Sequence, residues 1–368
     1  MSNHFPGRLA LTQRVLPAYR APFFDMLAEA CQDGLGIFAG NPLPIEGIAT
    51  RTELETAQVK VTHNRHFSDP SSSWYLCWQD GVIDWLESQN PAALIVEANP
   101  RYFSTRLAVR WMQARGRPVL GWGLGAPVLT GALAGVRRWN RQRFTHSLDG
   151  MIAYSQRGAS QYRALGLEKV FVAHNAAAPR PTQRPSERSD SLNDGPTILF
   201  VGRLQARKRL DILIRACAAT PESSKPRLII VGDGPARSEY QALAQEIFPQ
   251  AAFVGAVHGD ALEPYFAAAD LFALPGTGGL AVQQAMTHGL PVIVAQGDGT
   301  QDDLVRPGNG WQVPPGDEAV FTETLHGALS DIPRLRRMGA ESYRIVRDEI
   351  NLEMMVGAFI GVLNQYLP

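Results

Sequence analysis

Between Thr197 and Ala295 short apolar runs alternate with longer amphipathic stretches, and the runs are branched and leucine-rich without strict inside–outside alternation. A strand that is apolar at nearly every position must be covered on both faces, as in a parallel sheet with helices on each side. The pattern predicts strands at Thr197–Val201, Arg227–Val231, Ala252–Gly255, Asp270–Leu274 and Pro291–Ala295. Between them it predicts helices at Arg209–Ala218, Glu239–Ile247, Leu262–Ala268 and Ala281–His288. Repetition of this order means an α/β, doubly wound, Rossmann-like sheet, with ligands beyond the carboxyl ends of its strands.

The first half repeats the scheme less clearly. Strands are expected at Gly7–Thr12, Leu94–Glu97, Val119–Trp122, Met151–Tyr154 and Val170–Val172, and helices at Pro22–Ala30, Gly81–Ser88, Ser104–Ala114 and Gly158–Leu165. Residues 178–195 are rich in Pro, Ser and charge and lack periodicity, so a solvated linker is expected there. The expected division is a Rossmann-like domain over 1–177, the linker 178–195, a second Rossmann-like domain over 196–350, and a last segment 351–368. Its apolar stretch Leu352–Leu367 has helical spacing and is expected to cross back to the N-terminal lobe. A length of 368 residues with 45% hydrophobic residues is enough for two cores.

Charge and cysteine usage narrow the function classes. Lysine plus arginine (35) equal aspartate plus glutamate (35), so nothing global points to nucleic acid. Cys31, Cys77 and Cys217 show neither paired nor metal spacing, which fits a reducing compartment. The N-terminus lacks the regions of a signal peptide, and no apolar run reaches about 18 residues. A cytoplasmic chain without a membrane span is expected.

Three segments after residue 196 invite the same physical explanation. Gly202 ends a strand, and Arg203 and Lys208 follow it, a guanidinium and an ammonium suited to a pyrophosphate. The turn Gly232-Asp233-Gly234-Pro235 follows another strand, and its glycines permit positive φ and close backbone approach. The loop Gly276-Thr277-Gly278-Gly279-Leu280 feeds a helix containing Gln284, an arrangement that presents N–H groups to an anion. Alone, the first has a solvated basic turn as its alternative, the second is a turn common in α/β proteins, and the third could be a flexible connection; all three in fixed order make a nucleotide site the better reading.

From Pro196 to Asp317 this order resembles glycosyltransferase family 4, metal-independent retaining enzymes of GT-B fold. The resemblance rests on Val201-Gly202-Arg203-Leu204 with Lys208, on Val231-Gly232-Asp233-Gly234-Pro235, and on Gln284-Ala285-Met286 through Gly289-Leu290-Pro291-Val292-Ile293. Phe253-Val254-Gly255, Gly308-Asn309-Gly310, Pro315-Gly316-Asp317, Ser155 and Asn175 extend it. It implies that Arg203 and Lys208 neutralise the donor pyrophosphate and stabilise the departing nucleoside diphosphate. The backbone at Val254, Gly255 and Val257 would frame the base, and Gly276–Leu280 would face the sugar and phosphates. The family usually has two glutamates eight positions apart; here Gly276 and Gln284 stand in their places. Gln284 retains an amide oxygen for a ribose hydroxyl, while the first carboxylate has no replacement. The resemblance implies sugar transfer from a nucleotide sugar to a glycan or polyprenol-linked acceptor, in polysaccharide, exopolysaccharide or glycolipid biosynthesis. The alternative is a catalytically silent GT-B subunit that binds a sugar nucleotide or a partner. A sugar-nucleotide epimerase would need acid–base residues that the glycine loop lacks.

No cofactor or metal is required by the sequence: no D-x-D motif occurs, and His63 and His66 lack a third ligand. Glu97, after its strand, would orient or deprotonate an acceptor hydroxyl, or form a structural cap with Arg101. Asn99, Arg101 and Trp122 are acceptor candidates, and Tyr19 and Arg20 would meet an anionic acceptor or form a packing turn. Gly121-Trp122-Gly123-Leu124-Gly125-Ala126 fits a dinucleotide fingerprint, but Pro127-Val128-Leu129-Thr130 make a poor helix start, so no nicotinamide cofactor is expected. The basic, aromatic stretch Arg137–Phe144 reads as a peripheral membrane contact or a solvated face. Trp74, Trp78 and Trp85 are expected in the core.

Overall fold

The computed structural model describes residues 4–70, 72, 74–131, 133–188, 195–222, 225–278, 280–297 and 299–367. The chain forms two compact units, one of residues 1–177 with 352–368, the other of residues 178–351.

In the first unit β1 (Leu9–Val15), α1 (Ala21–Glu29), β2 (Leu35–Gly40) and β3 (Gln58–Thr62) are followed by a hairpin of β4 (Asn64–Phe67) and β5 (Leu76–Gln79). Then come α2 (Val82–Gln89), β6 (Ala93–Glu97), α3 (Phe103–Gln113), β7 (Val119–Gly123), α4 (Ala134–Thr145), β8 (Gly150–Ala153), α5 (Gln156–Arg163) and β9 (Val170–Val172). Seven parallel strands stand in the order β3-β2-β1-β6-β7-β8-β9. Leu94, Ile95 and Val96 of β6 are fully buried, as a strand covered on both faces requires.

The second unit runs β10 (Thr197–Val201), α6 (Leu210–Ala218), β11 (Arg227–Val231), α7 (Arg237–Ile247), β12 (Ala252–Gly255), α8 (Glu263–Ala268), β13 (Leu271–Leu274), α9 (Ala281–Thr287) and β14 (Val292–Ala295). It continues with α10 (Thr300–Leu304), β15 (Gly310–Val313), α11 (Glu318–Leu329) and α12 (Ile332–Asp348). Its six parallel strands are ordered β12-β11-β10-β13-β14-β15. Asp317 and Asp331 start the last two helices by accepting from the N–H groups of Val320 (3.0 Å) and Arg334 (2.9 Å), satisfying donors that a helix start leaves open.

The last helix, α13 (Leu352–Leu363), returns to the first unit, where Phe359 meets Phe23 and Trp122 at 5.2 Å between ring centroids. In both sheets the strand order reverses beside the first strand, between β1 and β6 and between β10 and β13. Such reversals are where open α/β sheets bind ligands.

The sequence pattern missed β2, β3, the β4–β5 hairpin and α4, and assigned no element to the residues of α10, β15, α11 and α12. Glycines interrupt β2, β3 is a largely exposed edge, and α4 carries arginines on several faces. The segment expected as a solvated linker is docked where it is described. Arg188 donates to the carbonyls of Ala269 (2.7 Å), His288 (2.8 Å) and Phe266 (3.1 Å), and Tyr343 donates to that of Gln183 (3.0 Å). Trp85 is core, but Trp74 is 67% exposed, so an aromatic side chain alone did not locate the interior. Gly121 and Gly123 lie within β7 with side chains pressed close on both, so the apparent fingerprint is a strand rather than a phosphate turn.

Candidate functional site

At the β10/β13 reversal two backbone segments touch. Gln205 begins a single 3₁₀ turn over Ala206–Lys208, which is directed across the end of β13. The N–H of Thr277 donates to the Arg207 carbonyl (3.1 Å), and Lys208 Nζ donates to the carbonyls of Thr277 (2.9 Å) and Gly278 (2.6 Å). Gly276 is buried beneath this contact; a Cβ there would overlap the Arg207 carbonyl and the Lys208 backbone. Lys208 is itself buried, and burial, with Arg207 nearby, pushes its ammonium down to about 8. It therefore remains charged at neutral pH, with one N–H beyond the two that hold the loop.

A second backbone contact lies alongside. Gly232 has φ +144°, and a Cβ on it would strike the Gly202 carbonyl. Leu204 N–H donates to the Asp233 carbonyl (2.9 Å), Ala236 N–H to that of Leu204 (3.0 Å), and Gly232 N–H to that of Gly255 (2.7 Å). Gly202, Gly232, Gly234 and Gly255 thus bring the ends of β10, β11 and β12 together, with Val254 and Val257 half-buried beside them. Arg203 is exposed, Thr277 and Leu280 are exposed, and Gln284 is half-buried on α9. Gly279 lies outside the described residues. Arg207 and the Asp233–Arg237 ion pair (2.9 Å) were missed in the sequence; the i,i+4 spacing of the pair was its only signal.

At the β1/β6 reversal the site is made of side chains. Glu97 ends β6 and accepts from the Arg14 N–H (3.0 Å) and the Tyr102 hydroxyl (3.3 Å), not from Arg101. Burial pushes its carboxyl above the usual range. Glu97, Asn99, Arg101 and Trp122 line one cavity of about 670 Å³. Asn99 Oδ1 accepts from the Arg101 N–H (3.1 Å) and Nε–H (3.3 Å), which fixes the turn after β6. Trp122 is fully buried, with rings of Phe23, Phe24, Tyr154 and Phe359 around it. Arg20 is 4% exposed, its guanidinium 4.6 Å from the Trp122 ring centroid and 5.2 Å from that of Tyr154. Tyr19 is exposed beside it. Trp74, Arg137, Asn140, Arg141, Tyr154 and Tyr162 also line the cavity; Arg137, Asn140 and Arg141 share α4, and the others come from elsewhere in the unit.

Residues 195–331 match the family model for glycosyl transferases group 1. The match lies within the second unit. Over 218 residues the chain is 34% identical to a GDP-mannose-dependent alpha-mannosyltransferase of Mycobacterium tuberculosis, covering 56% of this chain and 54% of that protein. The chain spans between about a third and a half of the first curated relatives it matches. Along its whole length the fold is that of GT-B glycosyltransferases. Sucrose-phosphate synthase from Thermosynechococcus elongatus superposes with TM-score 0.73 at 18% identity, covering 97% of this chain and 98% of that one. Anabaena HepE in complex with UDP gives 0.71 at 15% identity, covering 97% and 99%. The segments that meet at Lys208 and the Gly232 turn all fall inside the matched residues. No helix among the described residues is long and apolar enough to cross a membrane.

Proposed function

We propose that the chain transfers a sugar from a nucleoside-diphosphate sugar to a glycan or lipid-linked acceptor, with retention and without a metal or other cofactor. The observation that carries this reading is the contact of Lys208 with the Thr277–Gly278 backbone at the β10/β13 reversal, within the residues that match the group 1 model. On departure of the nucleoside diphosphate, negative charge develops on its phosphates. Arg203, Lys208 and the N–H groups of the 276–280 loop other than that of Thr277, which the Arg207 carbonyl takes, would stabilise it in place of a divalent cation. Gly202, Gly232 and Gly234 let backbone approach the phosphates, Val254, Gly255 and Val257 frame the base, and Gln284 meets the ribose. The relatives' names include GDP-mannose as donor and a solved structure contains UDP, so a guanine or uracil nucleotide is the first to try. In the first unit Glu97 acts on the acceptor hydroxyl, with Asn99, Arg101, Trp122, Tyr19 and Arg20 around the acceptor.

A cytoplasmic location with peripheral attachment to the inner face of the membrane belongs to the same proposal. Trp139 (60% exposed) and Val136 (59%) project from α4 among Arg137, Arg138 and Arg143, and Val128 before it is 92% exposed. Apolar side chains within a basic face suit an anionic lipid surface. Phe144, expected to share that face, is buried in the core instead.

One experiment separates the roles. Arg203→Ala should weaken nucleoside-diphosphate binding by about 1.5–3 kcal/mol, as for a charged hydrogen bond. Glu97→Gln should lower transfer and leave that binding intact. Unchanged affinity in the first variant removes the pyrophosphate role; equal losses of transfer and affinity in the second make Glu97 structural. The buried Gly276, with no room for the family's carboxylate, favours the catalytically silent subunit as second reading. Binding without turnover across a donor panel would establish it.

A further inference from the structure

The cavity beside Glu97 has an unbalanced wall. Arg101, Arg137 and Arg141 line it together with Asn140 and with the apolar Trp74, Leu124 and Leu129. Arg101 sits at the end of the turn after β6, and Arg137 and Arg141 lie one turn apart on α4. Glu97 is the only carboxylate among the lining residues, and its oxygens are already engaged by Arg14 N–H and Tyr102.

Neither Arg101 nor Arg141 forms an ion pair among the described residues. Arg101 donates from its backbone N–H and Nε to Asn99 Oδ1, and stands 5.5 Å from the Tyr75 ring centroid. Arg141 donates from Nη1 to the Pro127 carbonyl at 2.7 Å. A guanidinium has five N–H donors, so on both side chains donors remain that take no acceptor among the described residues. Burial and the neighbouring Arg137 and Arg101 disfavour the charge on Arg141. Cations gathered on a half-buried wall repel one another, and an anion placed between them relieves that repulsion and accepts from the donors left over.

We infer that this wall is an anion subsite and that the acceptor entering the cavity carries a phosphoryl group, held by Arg101, Arg141 and Asn140. Two guanidinium forks from separate elements match the tetrahedral oxygens of a phosphate. The apolar lining residues receive the part of the acceptor next to that phosphate. This rests on the reading of the cavity as the acceptor site, and two sources supply the same chemistry: a soluble sugar phosphate or a lipid phosphate.

The test measures binding to the full chain without any donor. The probes are a hexose phosphate, the same hexose without phosphate, and phosphatidylcholine vesicles with and without a polyprenyl phosphate. The wild-type chain should bind one of the phosphorylated probes at least about tenfold more tightly than its neutral counterpart. Whichever phosphorylated probe binds identifies the source. Arg101→Gln and Arg141→Gln should each remove most of that preference. Arg141→Lys, which keeps the charge and loses the fork, should retain part of it. Melting temperature and nucleoside-diphosphate affinity are measured alongside as the checks of folding. Equal binding of phosphorylated and neutral probes overturns the inference, as does a preference that survives Arg101→Gln in a folded chain. Donor hydrolysis is read separately. A chain that prefers the phosphorylated probe but consumes no donor keeps this subsite and loses the transferase reading, and the reverse result does the opposite.

Discussion

In the second unit the segments around Lys208 meet through their backbones, whereas the cavity beside Glu97 in the first unit is walled by side chains. Gly276 and Gly232 are points where one chain segment rests on another with no room for a Cβ. Around Trp122 the opposite holds: rings from α1, β7, the end of β8 and α13 fill the space, and Arg20 lies among them. Both sites occupy the same place in their sheets, the reversal of strand order beside the first strand. Equal topology has thus been filled by two kinds of material, which should fail in different ways when altered.

The largest effect is expected from Trp122→Ala. Removing a fully buried indole leaves a cavity among Phe23, Phe24 and Phe359, and should destabilise the chain by about 3–5 kcal/mol in chemical denaturation. Nucleoside-diphosphate affinity, measured by calorimetry where the variant is still folded, should stay at the wild-type value. A parallel loss of affinity would show that the two regions act as one energetic unit and would break the comparison.

Gly276→Ala should reverse the balance. The added methyl meets backbone that cannot rotate away, so the 3₁₀ turn and the 276–278 loop must part. The stability cost should be smaller, about 1–3 kcal/mol for an overpacked site, with nucleotide affinity the property mainly lost. Gly278→Ala is the matched control for space, because its nearest neighbour is a flexible arginine end at 3.7 Å, although its φ of +68° still disfavours a side chain. If both variants bind nucleotide like the wild type, the backbone contact is not part of the donor site.

This difference also explains what could be read in advance. A backbone-built contact needs glycines at fixed places around strand ends, so Gly202, Gly232, Gly234 and Gly276 announced the sheet and the places where its segments touch. Strands buried on both faces, such as β6 and β10, were equally plain. The side-chain site was legible only in Glu97, Asn99, Arg101 and Trp122, which sit at or just after strand ends. Trp74, Asn140, Arg141 and Tyr162 reach the same cavity from distant elements, and no local spacing records that meeting. The docked stretch around Arg188 escaped for a related reason: its hydrogen bonds end on carbonyls of other segments, which composition cannot reveal.

The smallest effect, and the most discriminating, concerns Lys208. Its ammonium is pushed down to about 8 by burial, while an exposed lysine titrates near 10.4. Only the protonated form attracts a diphosphate, so above about pH 7, where the terminal phosphate is ionised, affinity for a nucleoside diphosphate should fall by about tenfold as pH rises through about 8. Stability should move the other way. Between about 8 and 10.4 the unfolded chain binds this proton more strongly than the folded chain, so the contribution of Lys208 to stability grows as pH rises through that window. Lys208→Arg keeps a charge that does not titrate there, and should flatten both curves. Opposite slopes for affinity and stability in the wild type, both absent in the variant, would assign the inflection to Lys208. Slopes of the same sign would place it on another group, and would leave Lys208 as a clamp on the loop without a charge offered to the donor.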